Sequence, residues 1–188
     1  ILATTLTIAV ICVTADVFRM IGISLYTEQY LAGLTALAMP LLFLYVPATG
    51  ARGGRDGAVP WYDIVLAALS FAMMIYVAVR FPTLSELVSA RPLDGLIVAA
   101  IVIVLVLEGL RRTTGTGLFY TTLFFFGLAL IAGMLPGEFA AKSIPLPRLT
   151  YYSVWDSTAV LGVTLKIVSG VVVIFVLFGQ VLFKSGGA

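Results

Sequence analysis

Histidine is missing from all 188 residues, and charged side chains make up only 11% of them. Losing histidine removes the usual haem axial ligand, the commonest zinc ligand and the commonest proton shuttle. The shortage of charge is as restrictive. Soluble domains carry about 25% charged residues, and a soluble fold of this length with so few would leave large apolar patches in water. The 11 basic and 9 acidic residues are scattered, without the basic stripe that a nucleic-acid partner requires. One cysteine, Cys12, stands in an apolar run, where it has no internal disulfide partner and reads as a small buried hydrophobe. Nothing has the form of a nucleophile with its base, a phosphate-cradling glycine motif with its lysine, or a set of metal ligands. The glycine-rich stretch 50–57 follows no strand and reads as a linker. The expectation is therefore no enzyme activity, no cofactor and no nucleic-acid partner.

What is abundant is apolar sequence, with 61% hydrophobic residues and a mean hydropathy of +1.14. A spanning helix needs about 20 mostly apolar residues to cross about 30 Å of hydrocarbon. Six stretches approach this: 1–20, 29–47, 62–80, 93–110, 117–135 and 157–183. They are apolar on every side instead of alternating, and an isolated strand cannot satisfy its backbone in lipid. The fold class expected is all-α, an integral membrane bundle of about six transmembrane helices. Polar or proline-marked links separate the runs at 49–57, around Phe81-Pro82 and Arg91-Pro92, and at 111–117. The longest link, 136–156, holds Pro145 and Pro147 and has room for a docking surface. No signal peptide is expected at the start.

Alternating six spans places Arg52, Arg55, Arg111, Arg112 and Lys184 on one side, and Arg19, Arg80, Arg91, Lys142 and Arg148 on the other. The first group is concentrated in short links, which places both termini in the cytoplasm. Trp61, Tyr62, Tyr151, Tyr152 and Trp155 stand at expected span ends, as an interfacial belt would. Asp63, Asp94 and Asp156 precede apolar runs, where a carboxylate caps free N–H groups. Glu108 precedes Arg111 and Arg112 by three and four residues, forming an ion pair near the interface. Ala68 with Ala72, and Ala129 with Gly133, have the spacing that lets helices approach closely.

Two charges lie deepest in apolar sequence, Asp16 and Lys166. A charge at a helix centre costs roughly 2.5–3.5 kcal/mol on insertion scales, so both are candidate intramembrane polar residues. Arg19 lies three residues after Asp16 and offsets its charge. A helix over 157–183 would be about 40 Å long and overshoot the hydrocarbon, leaving Lys166 free to snorkel to the surface. The other reading of Lys166 is a polar contact within the bundle, or an anchor beside a break near Gly162 or Gly170.

The run Leu105-Val106-Leu107-Glu108-Gly109-Leu110-Arg111-Arg112-Thr113-Thr114-Gly115 resembles a segment of the fused permeases of the tripartite ATP-independent periplasmic (TRAP) transporters. Val59-Pro60-Trp61-Tyr62-Asp63 is similar to the opening of an earlier span in those proteins. Val160-Leu161-Gly162-Val163-Thr164-Leu165-Lys166, followed by Val176-Leu177-Phe178-Gly179 and Lys184-Ser185-Gly186-Gly187-Ala188, resembles the helix after which the large transport subunit continues. The resemblance covers 59–188. It implies a bacterial inner-membrane secondary transporter that takes an organic acid from a periplasmic solute-binding protein and imports it on a Na+ or H+ gradient. On that basis 1–112 is the small-subunit-like scaffold of four helices, and 113–188 holds the first helices of the large subunit. Both ends of the sequence read as cut, so substrate and coupling-ion sites are expected beyond Ala188, in the remainder of the fused permease. The alternative class is a membrane assembly or interaction subunit that transports nothing.

Overall fold

The computed structural model describes residues 26–46, 60–132 and 144–186, and every regular element among them is helical. In chain order these are α1 (Thr27–Tyr45), α2 (Trp61–Glu86), α3 (Leu93–Thr114), α4 (Thr116–Ile131), α5 (Leu146–Trp155), α6 (Val163–Ile167) and α7 (Val173–Lys184). A π-helical stretch, Val168–Val172, joins the last two into one continuous helix. Three helices are long and apolar enough to cross a membrane: α2 with 26 residues, α3 with 22, and the continuous Val163–Lys184 helix with 22. Two others cover expected spans without meeting both requirements. They are α1, which opens on Thr27-Glu28-Gln29 and contains Pro40, and α4, which is 16 residues long. The span expected over 1–20, with Asp16 and Cys12, lies outside the described residues.

The core forms where α1 lies along α2 and where α3 and α5 close over them. Met74, Val77, Phe81 and Leu84 of α2 meet Val98, Ala99 and Val102 of α3, Ala32 and Ala36 of α1, and Tyr151, Val154 and Trp155 of α5. A second cluster, Met39, Phe43, Ala67 and Leu105, continues the contact toward the other end of α1, α2 and α3. The opposite faces are apolar and uncovered. Ile64, Val65, Phe71, Ile75 and Val79 are exposed on α2, and no described residue of α4 or of the helix from Val163 is buried. An apolar surface of this extent is solvated by lipid or by other membrane helices. These features are those of a membrane protein.

Helix α2 runs through Pro82 to Glu86, six residues beyond the expected end of that span. Proline inside a helix lacks the N–H that would bond the carbonyl four residues earlier, here that of Ala78. The Gln29 side-chain amide of α1 donates to this Ala78 carbonyl at 3.0 Å, so the proline is accommodated by a neighbouring helix. The same Gln29 accepts from the Tyr26 backbone N–H through its side-chain oxygen at 3.1 Å.

The long link 136–156 contains a helix where sequence alone suggested a loop. Pro145 is the residue before α5 and Pro147 lies in its first turn, positions where a missing N–H costs nothing. Tyr151 and Trp155 are fully buried, which corrects their assignment to an interfacial belt. The Tyr151 hydroxyl donates to the Leu84 carbonyl at 2.8 Å, and the Trp155 indole N–H to the Gly95 carbonyl at 2.9 Å. A belt must keep its polar tips in water, whereas these find protein acceptors. Gly95 is what lets the ring in, since a Cβ there would stand 2.8 Å from the Tyr151 ring. Trp61, Tyr62 and Tyr152 remain exposed.

Two further expectations change in the fold. Ala68 and Ala72 face outward, and the packed side of α2 carries Ala67, Ser70, Met74 and Val77 instead. The span expected to begin at 157 starts only after Gly162. Before it, Asp156 ends α5, and its carboxylate accepts from the Thr158 backbone N–H at 2.8 Å and from the Thr158 hydroxyl. That local turn uses the carboxylate, so Asp156 caps no following helix.

Candidate functional site

Alternate ends of antiparallel helices bring the C-termini of α1 and α3 beside the N-terminus of α2. Four charges gather there. Arg112, in the last turn of α3, donates from Nε to Glu108 Oε1 at 2.8 Å and from Nη1 to Asp63 Oδ1 at 2.7 Å. The same Nη1 donates to the Val46 carbonyl just past α1 at 3.3 Å. Its guanidinium carbon stands 5.1 Å from the centre of the Phe43 ring, within cation–π range. Arg111 grips Glu108 with both ends of its fork, Nε to Oε2 and Nη2 to Oε1, each at 2.8 Å.

The cluster is graded in depth. The side chains of Arg112 and Asp63 are each 2% exposed, whereas Glu108 is 24% and Arg111 39% exposed. Two carboxylates balance two guanidiniums, so no net charge is left in the apolar end of the bundle. Helix dipoles add to this arrangement. Asp63 lies in the first turn of α2, where the helix end is positive, and Arg112 lies near the negative ends of α1 and α3.

Asp63 therefore does not do what its position suggested. It is the third residue of α2, inside the first turn instead of ahead of it, and its carboxylate is spent on Arg112. Asp94 is likewise inside the first turn of α3, and it stands 3.8 Å from Arg80 with both side chains about half exposed. Sequence reasoning identified Glu108, Arg111 and Arg112 from their helical spacing. It missed Asp63, Phe43 and the Val46 carbonyl, which reach Arg112 only across helices. The available signal was a carboxylate opening one apolar run and a surplus arginine closing the next, because consecutive spans run antiparallel and bring those ends together.

Lys166 is the fourth residue of the helix that begins at Val163 and is exposed. Its level in the molecule is that of the α1 N-terminus, since neighbouring Leu165 packs beside Leu31 and Leu34. It is thus far along the bundle from the Arg112 cluster. The structure brings Glu108, Arg111 and Arg112 together and holds Lys166 apart from them. Among the described residues no buried side-chain nitrogen or oxygen lacks a hydrogen-bond partner, and no group of carboxylates and cysteine is placed to hold a metal.

Chemically, the cluster is a clamp. Its cations are guanidiniums, which stay charged at any physiological pH, and its carboxylates are held by forked, charge-assisted bonds. Compared with known protein families, curated proteins and solved structures, the chain matches none.

Proposed function

We propose that this chain is the scaffold and entrance portion of a secondary transporter permease of the TRAP type in the bacterial inner membrane. In this reading it supports a transport domain that imports an organic acid, delivered by a periplasmic solute-binding protein, on a Na+ or H+ gradient. Its partners are the bilayer, the rest of the permease and that binding protein, and it performs no catalysis of its own. The observation that carries the reading is where the polar groups lie. The charges of α1, α2 and α3 collect toward the helix ends, and among the described residues the other buried polar side chains of the core are uncharged: Ser70, which donates to the Ala67 carbonyl at 2.9 Å, and Thr150 of α5.

A packed apolar bundle of this kind offers no row of ligands to an ion crossing it, since such pathways are built from polar groups at mid-membrane. It offers stiffness instead. Arg112 links three helices at one end and the Gln29, Tyr151 and Trp155 hydrogen bonds link helices toward the other. Residues 105–115 and 59–63, the segments that resemble the fused permeases, contain Glu108, Arg111, Arg112 and Asp63, the four charges of the clamp.

The test is uptake into proteoliposomes that contain the solute-binding protein and an imposed Na+ or H+ gradient. Organic-acid uptake is expected when this chain and the transport portion of the permease are both present. Undiminished uptake by the transport portion without this chain overturns the scaffold role.

A further inference from the structure

We infer that a cleft between the α2–α3 turn and the start of α5 binds the phosphate of an anionic phospholipid headgroup. The cleft has a volume of about 360 Å³ and is lined by Val88, Ser89, Arg91, Pro145 and Arg148. Two arginines from separate elements thus line one concavity, with Ser89 beside them and no carboxylate among its described lining residues. That donor set suits a phosphodiester, whose oxygens accept forked bonds from arginine. The start of α5 adds the positive end of a helix.

Position selects the source of the phosphate. Helix α2 ends at Glu86 and α3 begins at Leu93, and both are long and apolar enough to span a membrane. The turn between them consequently lies where hydrocarbon gives way to headgroups. Leu87, Leu93, Ile144 and Leu146, within two residues of the lining residues in sequence, are exposed. They provide apolar surface for acyl chains next to a basic cleft that receives the headgroup. Free phosphate would use the same donors but has no need of that apolar surround.

Arg91 supports the assignment from the backbone. It has φ +48°, the left-handed region that glycine occupies without steric cost and arginine does not. The position keeps a side chain where a glycine would be easier, and that side chain lines the cleft.

The experiment uses the full chain in nanodiscs made of equal parts phosphatidylcholine and phosphatidylglycerol, with native mass spectrometry of the lipids retained on release. Several-fold preferential retention of phosphatidylglycerol is expected. It should be lost in R91Q/R148Q and only partly kept in R91K/R148K, which retains the charge without the fork, with helical content by circular dichroism unchanged. R148Q alone changes only an exposed residue of α5 and should lose part of the preference, which keeps the test decisive if the double variant fails to fold. Equal retention of the two lipids by the wild type, or an unchanged preference in R91Q/R148Q, overturns the site. A separate arm titrates inorganic phosphate into discs of phosphatidylcholine alone. Saturable binding there that R91Q/R148Q abolishes would make free phosphate the ligand and overturn the lipid assignment.

Discussion

Arg112 and Gln29 are each asked to satisfy groups on helices other than their own. Truncating one partner of a buried ion pair leaves the other charged and unpaired, at a cost of about 3–5 kcal/mol. R112Q and D63N are therefore expected to lower the thermal midpoint in detergent markedly, whereas R111Q, at the exposed edge of the cluster, should cost no more than about 1 kcal/mol. Equal midpoints for R112Q and R111Q would show that depth in the cluster carries no energy. Q29L tests the proline accommodation. It leaves the half-buried Ala78 carbonyl without its side-chain donor, at a cost of about 1 kcal/mol. If the companion change P82A, which restores an N–H to α2, rescues Q29L, the missing donor is the cause. Glu108, Arg111 and Arg112 were readable from the sequence because their contacts repeat every helical turn. The Asp63–Arg112 and Gln29–Ala78 contacts were not, since no local spacing records which residues of separate helices meet.

Among elements, α5 is the one whose placement follows least from the chain's apolar runs. It is ten residues long, and its first turn contains prolines that punctuate a loop as readily as a helix start. Its docking depends on Gly95. G95A is expected to gain about 1 kcal/mol of helix propensity and to lose about 1–3 kcal/mol by overlap with Tyr151. The overlap should prevail, because the Tyr151 hydroxyl is tied to the Leu84 carbonyl and the ring cannot simply withdraw. A midpoint at or above that of the wild type would contradict this account.

The pH response of α5 follows from the same burial. Burial first, then the charge of Asp94 and the nearby Tyr76, pushes the Tyr151 hydroxyl up to about 12, from an ordinary value of about 10. The folded state thus holds this proton more tightly than the unfolded chain. Its contribution is intact below about pH 10 and declines between about pH 10 and 12, as the unfolded phenol ionises while the folded one does not. Y151F should flatten that decline in a plot of stability against pH, besides losing the hydrogen bond. An unchanged decline would place the titration elsewhere.

At the scale of the whole molecule, the two ends of the long helices differ in chemistry, and the topology proposed from the basic residues gives them different sides. In a C12S background, A90C at the α2–α3 turn should react with an impermeant thiol reagent from outside the cell. T114C at the end of α3 should react only after permeabilisation. Labelling of both from the same side would refute the spanning of α3, and the reverse pattern would invert the orientation. The single-residue link at Gly115 joins α3 to α4 at that end, and its φ of +86° suits glycine alone.

The sequence by itself determined the solvent of this protein and its all-helical class, because hydropathy and the need to satisfy backbone groups in lipid act on every residue regardless of its neighbours. It also set where helices can turn, through Gly115, Pro145 and Gly162. Tertiary structure alone decided which apolar faces are core and which are exposed, where α2 ends, and that Tyr151 and Trp155 are core residues. In a chain that is apolar on nearly every face, composition cannot mark the packed side, and only the positions of partner atoms on other helices can.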